Sequence, residues 1–106
     1  MSVIMTLRVK GDPQKVESVA AENPDRMQEV LEKAKQNGLI AHRFYGSDSG
    51  EIMVLDEWPD AESFQRFFEG VRDQFQPFMA DAGITEEPKA TIWRKLETQD
   101  EYGWEG

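Results

Sequence analysis

The strongest constraint on this chain is a change of hydrophobic periodicity that repeats in a fixed order. Val3, Met5, Leu7 and Val9 alternate with Ile4, Thr6, Arg8 and Lys10, a period of two that marks a strand with one strongly apolar face. Gly11-Asp12-Pro13 ends that strand and opens a helix, with Asp12 as N-cap and Pro13 in the first turn. Val16, Val19 and Ala20 continue the helical pattern until Asn23-Pro24 interrupts it. Asn23 then offers a second cap, and Met27, Val30, Leu31 and Ala34 form an amphipathic stripe. Gly38 suits the left-handed cap that terminates it.

A strand over 39–45 follows, then the turn Gly46-Ser47-Asp48-Ser49-Gly50 and a strand over 52–58. So short a connection makes the two an antiparallel hairpin. Asp60 starts another helix, on which Phe64, Phe67, Phe68, Val71, Phe75, Phe78 and Met79 share a face. Pro77 lies within that stripe, so a stop or kink near Gln76 and a restart for one turn are expected. Residues 89–96 alternate as a last strand. With right-handed crossovers, this order gives an α+β, ferredoxin-like βαββαβ fold. Its four-stranded antiparallel sheet carries both helical segments on one face. Residues 1–96 are expected to form a single domain.

A sheet with one wet face reads apolar-in, polar-out. Here the second strand offers Ile40, His42 and Phe44 on one side and Leu39, Ala41 and Tyr45 on the other. The third offers Ile52, Val54 and Trp58 against Met53 and Leu55. Apolar residues on both faces of so small a domain predict a partner, and a homodimer closed through the sheet faces is the simplest. The segment 97–106 carries four acids and no base and is expected to be an acidic C-terminal tail.

Composition removes several classes of function. The 21 acidic and 12 basic residues give a formal net charge of −9. Such a surface repels phosphate backbones and anionic membranes, so neither nucleic acid nor a membrane is an expected partner. Without cysteine there is no disulfide or thiolate metal site. The single histidine leaves no His-pair metal site, and neither metal nor cofactor is expected. The first apolar run is too short for a signal peptide and no stretch approaches a membrane span, so a cytoplasmic location is expected.

The stretch NGLIAHRFYGS followed by GEIMVLDEWPDAESFQRFFEG resembles the dimeric α+β barrel superfamily, and within it the antibiotic-biosynthesis-monooxygenase-like proteins. The shared features are a helix ending in Gly, a strand with a basic-aromatic end and a short turn. A strand closing in Glu-Trp and a helix with an aromatic stripe complete them. The resemblance implies a pocket between sheet and helices. It also implies a range of activities, including cofactor-free oxygenases, isomerases, haem-degrading enzymes and stress-responsive proteins. The haem-degrading pattern requires a Trp and an axial His on the second helix. Those positions fall at Phe67 and beside Pro77, so that chemistry is not expected.

Within this frame the candidate catalytic residues are His42, Tyr45 and Trp58, which could orient a substrate or exchange protons. Phe64, Phe67, Phe68 and Arg43 are candidate ligand-binding residues. Each also has a plain structural role open to it: an interface histidine, a tryptophan plug at the strand-helix corner, a phenylalanine core. Two functional readings follow. One is a cofactor-independent monooxygenase-like protein, an oxygenase or isomerase, acting on or binding a small apolar or aromatic molecule. It requires a pocket containing at least two of His42, Tyr45 and Trp58. The alternative is a non-catalytic dimeric ligand-binding or stress-responsive protein of the same fold.

Overall fold

A computed structural model describes residues 2–104; Met1, and the last two residues of the acidic segment, lie outside them. The elements are β1 (Val3–Lys10), α1 (Pro13–Glu22), α2 (Pro24–Gln36), β2 (Ala41–Gly46), β3 (Glu51–Trp58), α3 (Ala61–Asp81) and β4 (Lys89–Trp93). The strands form one antiparallel sheet in the order β2-β3-β1-β4. β1 and β3 are the central pair, in register from Val3 opposite Trp58 to Lys10 opposite Glu51. The α1/α2 connection therefore crosses over β3, and α3 crosses over β1. This is the ferredoxin-like α+β arrangement that the periodicity predicts.

The helices cover the face bearing Met5, Leu7, Val9, Ile52, Val54 and Trp58, all buried. Two clusters form there. One gathers Val9, Val16, Val19, Ile52, Phe78, Met79, Ala82 and Ile84. The other gathers Met5, Leu7, Ala34, Val54, Trp58 and Phe64. Half-buried Phe44 and Phe75 touch both. The opposite face of the sheet carries no helix. It presents Ile4 and Thr6 of β1, Arg43 and Tyr45 of β2, Met53 and Leu55 of β3, and Trp93 of β4, whose indole N–H donates to Thr6 Oγ1 at 2.7 Å. No helix among the described residues is long and apolar enough to cross a membrane.

Capping chemistry sets most element boundaries. Asp12 accepts from the Gln14 N–H at 2.9 Å, and Asp60 accepts from both the N–H and the hydroxyl of Ser63 at 2.8 Å. Those bonds, the backbone one first, hold the Asp60 carboxyl below its ordinary value. Gly38 and Gly83 take the left-handed conformation (φ 99° and 77°), which lets the next amide close back on the helix: Leu39 N–H to Ala34 O and Ile84 N–H to Met79 O.

Several sequence expectations are corrected. Because Leu39 belongs to the cap, β2 begins at Ala41 rather than at 39, although Ile40 already donates to Glu57 O. Asn23 does not cap α2 with its side chain; its Nδ2–H donates back to Val19 O and closes α1 instead. α3 runs through Pro77 without stopping. Pro77 and Asp73, whose carbonyl loses its helix partner, both lie on the exposed side, while Phe78 and Met79 are buried and hold the last turn in place. β4 ends at Trp93, short of Leu96.

Two glycines separate tight packing from mere flexibility. A Cβ on Gly46 would lie 2.6 Å from Pro13 Cβ, on a ring that cannot turn aside, whereas a Cβ on Gly70 in mid-α3 meets nothing within 4 Å. Gly46→Ala should cost about 1–3 kcal/mol by forcing β2 from α1. Gly70→Ala should gain roughly 0.5–1 kcal/mol through lower helix entropy cost. Urea unfolding midpoints of the two variants should move in opposite directions.

Candidate active site

On β3, residues 52, 54, 56 and 58 share the helix-facing side, and Asp56 is the one polar member of that row. Its side chain is 5% exposed. A buried carboxylate requires donors, since its oxygens only accept. Two side chains supply them. The fully buried Trp58 donates its indole N–H to Oδ2 at 3.1 Å, and His42 Nδ1 lies 2.7 Å from Oδ1. His42 reaches this position because β2 pairs with β3 in a register that sets His42 opposite Asp56. With Nδ1–H assigned to the carboxylate by this network, Nε2 is the ring nitrogen left with a free lone pair.

His42 and Asp56 form part of the wall of a cavity of ≈ 90 Å³ between sheet and helices. The cavity is bounded by Met5, Leu7 and Val54 below, by Leu31 and Ala34 of α2, and by the phenylalanines of α3. These aromatics form a circuit. His42 packs on Phe44, Phe44 on Phe78, Phe78 on Phe75, Phe75 on Phe68, Phe68 on Phe64 and Phe64 on Trp58, with successive centroids 5.4–6.4 Å apart; the Phe78–Phe75 and Phe68–Phe64 pairs are stacked and the others edge-on. Trp58 then returns to His42 through Asp56. The polar pair is thus set into an aromatic girdle, where a hydrogen bond is stronger than in water.

Of the residues singled out by sequence, His42, Phe64, Phe67 and Phe68 line this cavity. Trp58 stands behind the wall, packed on Phe67 at 5.4 Å, and holds Asp56 rather than facing the void. Tyr45 and Arg43 lie on the opposite face of the sheet, where the Arg43 guanidinium donates to the Tyr45 hydroxyl at 3.2 Å. The reason is the strand's period of two: His42 and Phe44 point in, so 43 and 45 point out. Of the three expected side chains only His42 therefore lines the cavity, short of the two that the enzyme reading required; Trp58 bears on the cavity only through Asp56. Asp56 has no place among the residues expected from the sequence. The available signal was an acid at the third of four same-face positions otherwise filled by Ile, Val and Trp. Sequence reasoning also passed over Arg26 and Gln74, which reach the wall from α2 and α3. No group of three or more metal-ligating side chains occurs among the described residues.

Trp58→Phe keeps the plug but removes the donor to a buried carboxylate. It should destabilise the fold by about 1–3 kcal/mol in chemical unfolding, beyond the small change in apolar volume. Trp58→Phe combined with Asp56→Leu should recover part of that loss, because no buried acceptor is then left unpaired.

No protein-family model and no curated protein matches the sequence. Solved structures do match. A dimeric ferredoxin-like protein from an uncultured marine organism is 12% identical with TM-score 0.67, over 98% of this chain and 93% of that one. A candidate antibiotic biosynthesis monooxygenase from Bordetella bronchiseptica is 13% identical with TM-score 0.64, over 91% and 98%. SnoaB, a cofactor-independent oxygenase from Streptomyces nogalater, is 19% identical with TM-score 0.60, over 94% and 98%. At these identities the likeness is one of fold. The four-stranded sheet, the helices on one face and these matches together give the chain the ferredoxin-like fold of the antibiotic-biosynthesis-monooxygenase-like proteins.

Proposed function

We propose that this protein binds a small apolar, aromatic molecule between its sheet and helices and moves a proton on it, as a cofactor-free oxygenase or isomerase. The observation that carries this reading is the Trp58–Asp56–His42 chain, which ends on the wall of an aromatic cavity. The indole fixes the carboxylate and the carboxylate fixes the imidazole. His42 Nε2 is left to take a proton from an activated C–H or a phenolic O–H, and to return it. Cofactor-free oxygenation and isomerisation both begin with that step. SnoaB, of the same fold, is a cofactor-independent oxygenase.

The void of ≈ 90 Å³ is smaller than the roughly 150 Å³ that encloses a benzene ring. A ligand ring therefore enters by turning aside the half-buried Phe67, Phe68 or Phe75, or keeps one edge in the mouth. Differential scanning fluorimetry with 1-naphthol and 1,4-naphthoquinone should raise the melting temperature, since either would bind only the folded state. His42→Ala and Asp56→Asn should leave that shift in place. Each should lower turnover, followed as oxygen uptake or product formation with hydroxylated naphthalenes, by about 10²-fold or more. Turnover unchanged in both variants would leave a binding protein without chemistry, which is the alternative reading of this fold.

The working unit in this proposal is a homodimer with the bare faces of the two sheets turned toward each other. Half-buried Met53 and Leu55 sit there beside Tyr45 and Trp93, which are 43% and 51% exposed. That is an apolar surface of the kind that partners cover. A solved neighbour of this fold is itself dimeric. Tyr45 and Arg43 then serve the interface rather than the cavity, and 97–106 is a tail outside the 1–96 domain. Sedimentation should give a mass near twice 12.2 kDa at micromolar concentration, and Leu55→Glu should shift it to the monomer mass.

A further inference from the structure

Four side chains on the cavity wall carry polar groups: Arg26, His42, Asp56 and Gln74. The proton-transfer reading uses His42 and Asp56 and leaves Arg26 and Gln74 without a role. Arg26 stands in the first turn of α2, at the positive end of the helix dipole, where a cation is disfavoured. Its guanidinium donates from both terminal nitrogens to a single oxygen of Asp81, at 3.2 and 3.1 Å. The arginine side chain is 31% exposed and the aspartate 54%, so the pair sits at the mouth, with Arg26 the more covered partner and part of the cavity wall. Of the five N–H groups of a guanidinium, Asp81 takes two, which leaves donors for a group inside the cavity.

Gln74 lines the same wall from α3. Its Oε1 accepts from Lys33 Nζ at 2.9 Å, and its Nε2 donates one hydrogen to Glu29 at 3.1 Å, leaving a second amide hydrogen. Both donors belong to a wall made mostly of apolar side chains, and a bond from the guanidinium to an anion is charge-assisted. Arg26 marks the end of the cavity at which α3 finishes, through its bond to Asp81. Asp56 marks the end at which α3 starts, through Trp58 and Phe64.

We infer that Arg26 binds a carboxylate of the ligand, and hence that the ligand class is aromatic acids. Their ring lies among the phenylalanines and their reacting atom near His42. This rests on the pocket reading above and narrows it. The planar guanidinium matches a carboxylate in two-point geometry, which a phenol or a neutral quinone cannot use.

Titration calorimetry with 3-phenylpropionate and 3-phenylpropionamide tests this, because the two differ in charge and scarcely in shape. In the unaltered protein the acid should bind roughly tenfold more tightly than the amide, or better. Arg26→Gln should abolish that preference while leaving amide binding unchanged. Asp81→Asn, which removes the competing carboxylate, should tighten acid binding, and it decides the matter if Arg26→Gln does not fold. Equal binding of acid and amide would overturn the role of Arg26, and so would unchanged acid affinity in Asp81→Asn. If 1-naphthol still binds in that case, the aromatic pocket stands and its acid specificity falls. If none of the three binds, both readings fall together.

Discussion

A single buried carboxylate organises the wall of the cavity between sheet and helices. Asp56 interrupts an apolar row on the central strand β3, and leaving it unpaired would cost several kcal/mol. The fold meets that demand from two directions. Trp58, two residues along the same face, supplies an indole N–H, and His42 supplies a ring nitrogen across the β2–β3 ladder. Every buried side-chain polar atom among the described residues has a partner, so the arrangement leaves no residual debt elsewhere in the core. The same three residues fix the geometry of the wall on which a ligand would rest.

The aromatic girdle depends on that carboxylate in turn. Trp58 is at once the donor to Asp56 and the ring on which Phe64 and Phe67 stack. The phenylalanines of α3 therefore do two jobs: they fill the core toward the sheet and leave a gap where the two clusters meet. Phe44 and Phe75, half-buried and in contact with both clusters, line that gap. A helix carrying five phenylalanines over one face is more than is needed to cover a four-stranded sheet. Their rings line a cavity that has Asp56 toward one end and Arg26 toward the other.

Much of the fold was legible in the sequence because it rests on local rules. Period-two and period-3.6 patterns gave the element order, Asp12 and Asp60 gave helix starts, and Gly38 gave a helix end. The errors occurred where tertiary packing overrides such rules. Pro77 does not stop α3, because the buried turn beyond it is worth more than the lost hydrogen bond. Asn23 turns its side chain back on α1 rather than forward onto α2. The site was less legible. Period two already set Tyr45 and Arg43 on the opposite side of β2 from His42, so grouping the three ran against the strand's own alternation; which of the two faces the helices cover is what the sheet added.

The sequence by itself determined the order of strands and helices, the amphipathic faces and the apolar excess on both sides of the hairpin strands, because each depends on residues near one another in the chain. Only the tertiary structure decided that His42, Asp56 and Trp58 form one hydrogen-bonded chain, and that Arg26 and Gln74 complete the wall opposite. Those groups lie on four different elements, and what brings them together is strand register and helix docking. Both are set by burying the whole apolar face at once, and no local pattern records the result.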